Sequence, residues 1–392
     1  MENPVKKLHI LMLPSWYIPH GGYFCRDQAQ ILCEKGIKAN VLANVSISLR
    51  KYRLKTFVFP WRFFTSYEDQ LIVFRFFTRA IPFLNKTNGI IWSWLTVFMF
   101  NKYCKIFGKP DIIHVHSVLW GGYAAYLINK KTGIPYVITE HKGIFCLSCE
   151  YAKKQFEDWQ TPYMEKAFSN AKVIIPVSNN QIPHIQKYNK KNVSVEQISN
   201  VVDTDFFYYK ERKVETKVLF VAVNGFMPVK AYDILLPAFD KVCDKVQNVK
   251  LRIVGEDFEG QEFNELWKLV KHKEKIFFTG ELDMHGVREE LWNANAFVIS
   301  SRVESQSIST LEALSTGLPV VCTNVIPNYM VNEHNAIVVP IEDIESLTAA
   351  ILEMAEKFTT YDGVAISQQI KKISGKEAVV SKLIDLYTRI KE

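Results

Sequence analysis

Nothing in the 392-residue sequence is apolar for long enough to read as a bilayer span. The strongest run, 89–100, lies between Lys86 and Lys102 and is far short of the ~20 residues a span takes. Cysteine is sparse and scattered, with seven residues at 25, 33, 104, 146, 149, 243 and 322, an odd set that does not make a disulfide framework. Cys146 and Cys149 form one CxxC near His141, but a structural zinc takes four ligands and no second pair exists. Reduced thiols and no metal are therefore expected. GxGxxG and Walker A patterns are absent, which argues against a nicotinamide enzyme and a P-loop ATPase. Repeats and low-complexity tracts are absent too. No small-residue cleavage site follows the short run Leu8 to Leu13, which reads as a first buried strand in a cytoplasmic protein.

What is there is ordinary globular material, 48% hydrophobic and 23% charged, in a chain long enough for two domains. Its net charge of +7 is uneven: 26 Lys and Arg face 14 Asp and Glu through Asp205, and 22 face 27 beyond it. The stretch 49–64 interleaves Arg50, Lys51, Arg53, Lys55 and Arg62 with six aromatic residues and no acid. That composition suits an anionic lipid surface. A solvated loop over core aromatics and a nucleic-acid contact are the alternatives.

Short β-rich runs alternate with helical patterns, which predicts parallel sheets covered by helices. One series runs through Leu8 to Leu13, Ala39 to Ala43, Leu71 to Phe76, Ile112 to His116, Tyr136 to Thr139, Val173 to Val177 and Val195 to Ile198. A second starts afresh at Val218 to Val223 and continues through Leu251 to Val254, Ile276 to Phe278, Ala296 to Ser300, Pro319 to Cys322 and Ile337 to Val339. Periodicity stops between them at 199–206, a turn-prone segment. The expected division is a first domain over 1–203, a second over 204–374, and a C-terminal helix over 375–392 that packs back toward the first. Ligands of such sheets bind outside the carboxyl ends of the strands, so functional residues should follow strands directly.

The most informative segment is 300–319. It reads as strand, loop, short helix and stop, with Gly317 suited to a left-handed position after the helix and Pro319 preventing its continuation. Backbone amides of Ser307, Ile308 and Ser309 at the positive end of the helix dipole form an anion site. Glu304 and Glu312 flank it, separated by seven residues, where they can accept hydrogen bonds from the hydroxyls of a nucleotide sugar. The bland alternative is a capping serine and two solvated glutamates.

Glu304, seven residues, Glu312 and the following Ala-Leu-Ser-Thr-Gly-Leu-Pro-Val-Val resemble the signature of family 4 glycosyltransferases of the GT-B architecture. The resemblance extends in order and spacing through Gly21-Gly22, Asp111-Ile-Ile-His-Val-His116, Thr139-Glu140-His141, Val177-Ser178, 200–206, Lys230 and Leu251-Arg-Ile-Val-Gly255. It implies an α/β fold of the GT-B type, with two doubly wound Rossmann-like domains facing a central cleft. It also implies transfer of a hexosyl unit from a nucleotide sugar, a UDP-sugar first, with retention at the anomeric carbon and without a metal or other cofactor. The acceptor would be a glycan or lipid-linked sugar in surface polysaccharide or glycolipid assembly, reached from the inner face of the membrane. A silent GT-B subunit that binds a glycan or scaffolds a partner enzyme is the second reading, and an epimerase or phosphorylase a third.

By that resemblance His141, Glu304 and Lys230 are the catalytic candidates. Gly22, His116, Gly225, Leu282, Ser307, Ile308, Ser309 and Glu312 bind the donor. Lys230 would neutralise charge on the leaving diphosphate. Backbone around Gly255 and Gly280 to Leu282 would meet the base. His114 and His116 are expected on opposite faces of their strand, with His116 toward the ligand. One departure matters: many members carry Arg in a Gly-Arg-Leu pattern before the lysine, where this chain has Asn224, Gly225 and Phe226. Either Arg302 or an arginine of the first domain is expected to replace it, or leaving-group stabilisation is weaker.

Overall fold

The computed structural model describes residues 8–48, 59–60, 62–146, 157–212 and 217–392. Most of the 49–64 stretch, and Cys149 of the CxxC, lie outside the described residues. The chain divides into two units. Among the described residues one takes in 8–145, 157–201 and 379–392, and the other 146, 202–212 and 217–378.

In the first unit eight described strands form one sheet: β1 His9–Pro14, β2 Lys38–Ser48, β3 Phe64–Glu68, β4 Leu71–Ala80, β5 Ile112–His116, β6 Tyr136–Glu140, β7 Val173–Pro176 and β8 Ser194–Val195. Their order is β3-β4-β2-β1-β5-β6-β7-β8, parallel throughout except for the antiparallel edge strand β3. The central strands are rich in Ile, Val and Leu and buried on both faces, as a parallel sheet between helices requires. Alternation along β1 shows it: Ile10 and Met12 enter one core, Leu11 and Leu13 the other. One core lies under the helix Tyr23–Glu34 and the C-terminal helix Lys376–Lys391, whose Val379, Leu383, Leu386 and Tyr387 are buried in it. The other lies under the helices Asn85–Phe107, Tyr123–Thr132 and Thr161–Phe168.

The apolar run 89–100 is the middle of the helix Asn85–Phe107. Gly89 sits in its second turn because the Trp120 ring occupies the space a side chain would need; a Cβ there would fall 2.0 Å from the indole. β3 was not legible as a strand, since Thr65, Ser66 and Glu68 give it no apolar alternation; it forms by pairing with β4.

The second unit holds β9 Val218–Val223, β10 Val249–Val254, β11 Ile276–Gly280, β12 Ala296–Ile299, β13 Val320–Thr323 and β14 Ala336–Val339. They lie in the order β11-β10-β9-β12-β13-β14, every pair parallel. Helices Tyr232–Lys245, Gly260–Leu269 and Ile344–Lys357 cover one face. Helices Met284–Asn293, Ile308–Ser315 and Gly363–Ser374 cover the other. Strand order reverses between β1 and β5 in the first sheet and between β9 and β12 in the second. The loops leaving those four strands are where each unit is built to meet a ligand.

Candidate active site

In the second unit, β9 leads through Asn224–Lys230 into one helix and β12 through Ser300–Ser307 into another, so the two loops flank the reversal of strand order. Lys230 Nζ donates to Glu304 Oε1 at 2.6 Å, and Ser301 Oγ donates to the same oxygen at 2.8 Å. Both partners are largely buried. Among the described residues Glu304 Oε2 has no hydrogen bond, which leaves one carboxylate oxygen to accept from a ligand hydroxyl. Ser300 Oγ closes the latch by donating to the Lys230 carbonyl at 2.8 Å.

Arg302 does not replace the missing arginine. Its buried guanidinium forms a bidentate pair with Asp233 at 2.9 and 2.6 Å, pairs with Glu342, and donates to the Pro228 carbonyl at 2.6 Å. Its backbone N–H donates to the Val229 carbonyl at 2.8 Å. These bonds occupy the fork and hold the loop that carries Lys230. Sequence reasoning missed this role, because neither Asp233 nor Glu342 is near Arg302 in the chain.

Both loops end in a non-glycine residue with left-handed backbone, Ala231 at φ 53° and Ser307 at φ 61°, each at the N-cap of the next helix. Such residues cost about 1–3 kcal/mol apiece and persist where the surroundings determine them. Ser307 Oγ is 2.8 Å from Thr310 Oγ1 and caps the helix Ile308–Ser315. Ile308 is exposed and Ser309 half-buried at its first turn. The carboxyl of Glu312, one turn further on, has no hydrogen-bond or ion-pair partner among the described residues, and burial pushes it up to about 8. A ligand hydroxyl donating there would supply the missing partner.

Gly225 and Gly255 bring the backbones after β9 and β10 together. A Cβ on Gly255, at φ 155°, would fall 2.4 Å from the Asn224 carbonyl oxygen, and one on Gly225 3.1 Å from that of Glu256. Leu282 is half-buried, in the loop between β11 and the helix Met284–Asn293, and packs on Gly286. Neither Gly225 nor Leu282 touches the Lys230–Glu304 pair by any hydrogen bond.

In the first unit Gly22 is the N-cap of the helix after β1, at φ 86°, where a Cβ would fall 2.5 Å from the Trp16 carbonyl oxygen. Two residues on, the Phe24 ring stacks on His141 with centroids 3.8 Å apart. His116 Nδ1 lies 3.0 Å from His141 Nε2, one ring donating and the other accepting, and His116 Nε2 is buried without a partner. His114 and His116 share a face rather than opposing each other, because residues two apart on a pleated strand point the same way; their rings stack at 4.6 Å. His114 is tied instead to Tyr387 of the C-terminal helix at 2.5 Å and to Thr139 at 2.7 Å. Burial pushes His141 and His114 down to about 3 and holds His116 well below the ordinary value, so the row is neutral imidazole.

Glu140, fully buried, underpins this row. Its carboxylate accepts from Ser117 Oγ at 2.8 Å and from the backbone N–H groups of Val118, His141 and Lys142 at 2.9, 2.9 and 3.0 Å. Four donors satisfy the buried charge and pin the backbone on both sides of His141.

The sequence matches the family described as Glycosyltransferase Family 4 over residues 39–206 and that described as Glycosyl transferases group 1 over 215–357. It is 26% identical over 334 residues to the Bacillus subtilis glycosyltransferase TuaC, named for teichuronic acid biosynthesis, covering 80% of this chain and 79% of that one. The mannosylfructose-phosphate synthase of Agrobacterium fabrum is 24% identical over 249 residues, 53% of each chain. In fold, the chain is similar to the sucrose-phosphate synthase of Thermosynechococcus elongatus, with a TM-score of 0.78 at 16% identity over 97% of this chain and 99% of that one. It is also similar to Anabaena HepE, solved with UDP-glucose, with a TM-score of 0.71 at 12% identity over 97% and 99%. With matches to both halves and two parallel-sheet units of this order, the chain belongs to the family 4 glycosyltransferases of the GT-B architecture.

Proposed function

We propose that this glycosyltransferase moves a hexosyl unit from a nucleotide sugar, a UDP-sugar first, to a glycan or lipid-linked acceptor in surface polysaccharide or glycolipid assembly, with retention at the anomeric carbon. The observation that carries the reading is the Lys230–Glu304 pair at the strand-order reversal of the second sheet, with an unpartnered Glu312 on the helix that follows. HepE in complex with UDP and with UDP-glucose supports the donor class, and the name of TuaC supports polysaccharide assembly.

In this mechanism the amides of Ser307, Ile308 and Ser309 hold the diphosphate. The Lys230 ammonium meets the charge that develops on it as the bond to the anomeric carbon breaks. Glu304 Oε2 accepts from a hexose hydroxyl and Glu312 from the ribose hydroxyls. The acceptor oxygen bonds to the anomeric carbon on the face the diphosphate leaves, and its proton passes to the departing diphosphate oxygen. His141, neutral and held by His116 and Phe24, offers a hydrogen bond to the donor sugar rather than a charge. Lysine and amides supply the neutralisation here, so chelator is expected to leave turnover unchanged. Peripheral attachment to the inner membrane face through 49–64 belongs to the same reading; no described helix is long and apolar enough to cross a membrane.

A screen of UDP-, GDP- and ADP-sugars for nucleotide release tests the proposal, and no release with any of them would count against it. The silent-subunit reading draws on Gly225 and on the full engagement of Arg302. It would be favoured if UDP bound without turnover and Glu304→Ala left cellular glycan assembly intact.

A further inference from the structure

At the amino ends of its strands, away from the candidate site, the second unit carries two adjoining clefts. The larger, of about 590 Å³, lies beside the starts of β9 and β10 and is lined by Lys210, Arg212, Lys217, Lys250 and Arg252, with Glu211 the one acid among its described lining residues. The smaller, of about 210 Å³, lies before β12 and β13 and is lined by the rings of Tyr209, Phe358 and Tyr361. Glu211, Arg212 and Asn295 belong to both, so the two make one groove. It crosses β10, β9, β12 and β13, four neighbours in the sheet, and is therefore roughly 14 Å long at the usual strand spacing.

The groove is charged and its charge is unmatched. Arg252 pairs with Glu290 at 2.8 Å, but the other four cations meet no carboxylate among the described residues. Lys210 Nζ lies 4.6 Å from the Trp292 ring centroid and Lys250 Nζ 5.0 Å from that of Phe277, so aromatic faces hold both ammonium groups in place. Arg212 directs Nη2 to the Thr316 carbonyl at 2.8 Å, to the Thr316 hydroxyl at 3.2 Å and to the Leu291 carbonyl at 3.4 Å, while Nη1 has no hydrogen bond among the described residues. Burial pushes its guanidinium down to about 10, the mark of a cation short of a counter-ion. Asn295 Oδ1 accepts from the Leu219 N–H at 2.7 Å, which leaves its NH₂ as a further donor.

We propose that this groove binds a glycan chain bearing carboxylate groups, with the carboxylates at Lys210, Arg212, Lys217 and Lys250 and an apolar pyranose face on the rings of Phe358 and Tyr361. Lys250 stands at the start of β10, Lys217 before β9 and Arg212 between the clefts, so the charge is distributed along the groove and suits one anion per sugar better than a single phosphate. Cations alone would serve any polyanion; the ring-lined end favours a sugar, whose C–H face is apolar. The inference rests on the glycan-assembly reading for its ligand and goes beyond the transfer step. β9 is six residues long, so the groove and the loop that carries Lys230 lie roughly 17 Å apart, at opposite ends of the strand. A glycan held here is retained by the protein without entering the donor site.

Calorimetric titration of the full-length protein with hexagalacturonate, with maltohexaose of the same length and with tripolyphosphate tests the proposal, and UDP is titrated in parallel. Hexagalacturonate is expected to bind, more weakly at high salt, and maltohexaose is not. Lys210→Gln with Lys250→Gln should weaken hexagalacturonate binding at least roughly tenfold, and Tyr361→Leu roughly threefold, with UDP affinity unchanged in both. An unchanged unfolding midpoint checks that each variant is folded, and Phe358→Leu serves if Tyr361→Leu is not. Failure of hexagalacturonate to bind a protein that binds UDP, or equal binding by the folded double variant, would overturn this proposal and leave the donor reading standing. Failure of UDP alone to bind would count against the donor reading and not against the groove. Tripolyphosphate or single-stranded RNA bound as tightly as hexagalacturonate, with no loss in the ring variant, would overturn the assignment to a glycan.

Discussion

In both units the two strands that flank the reversal of strand order run into a residue with positive φ before the next α-helix: Gly22 and Ser117 in the first, Ala231 and Ser307 in the second. The backbone solution is shared, but what stands on it differs. The first unit places three stacked neutral imidazoles over a carboxylate satisfied by four donors. The second places an ammonium against a carboxylate, with one oxygen of Glu304 and the carboxyl of Glu312 left unpartnered among the described residues. A neutral row with an unpartnered imidazole nitrogen at His116 suits hydroxyl groups; a charged pair with free carboxylate oxygens suits an anion whose sugar hydroxyls complete it. On the proposed function, the same architecture separates recognition of sugar from stabilisation of charge.

The contrast breaks most sharply at Lys230. Lys230→Ala should lower turnover by about 10²–10³-fold, the usual effect of losing one preorganised group at a developing charge. Single-turnover nucleotide release measures it, with an equal effect of His141→Ala counting against the division of labour. Next comes backbone. Gly22→Ala should destabilise the protein by about 2 kcal/mol or more, since the left-handed backbone costs about 1–2 kcal/mol and the Cβ meets the Trp16 carbonyl oxygen besides. Gly36→Ala, at φ 78° with nothing within 4 Å, should cost only the first part, and denaturant unfolding compares the two. Glu140→Gln should cost roughly 1–3 kcal/mol, because an amide NH₂ would face donors that need an acceptor.

The pH dependence sharpens the comparison with opposite signs. His114 and His141 are pushed from 6.5 down to about 3, so the unfolded chain binds more protons and their contribution, intact above 6.5, is lost as pH falls toward 3. Glu312 is raised from 4.5 to about 8, so its contribution is complete below 4.5 and lost as pH rises through 8. Ribose hydroxyls donating to Glu312 would favour its ionised form. Nucleoside diphosphate affinity should therefore rise with pH up to about 8, and Glu312→Gln should flatten that slope in calorimetric titrations.

Much of this was legible in the chain because strand ends carry the site. Apolar runs located β1, β5, β9 and β12, and the segment 300–319 pointed to Glu304, Glu312 and the short helix by its own local order. What was not legible is what depends on distant partners. Arg302 reads as a free cation until Asp233 and Glu342 close on it. No local signal ties Tyr387 to His114 across 273 residues. Glu140 looks like an exposed acid at a strand end, yet turns inward because four donors converge there. The misassigned faces of His114 and His116 had a local answer, since a period of two puts them together.

Calorimetric titration of UDP into the natural chain, Lys230→Ala and His141→Ala tests the central claim most directly. The account predicts binding to the natural chain and to His141→Ala with similar affinity, and a loss of at least roughly tenfold in Lys230→Ala. Undiminished binding by a folded Lys230→Ala variant, or no binding of UDP, GDP or ADP to the natural chain, would contradict it.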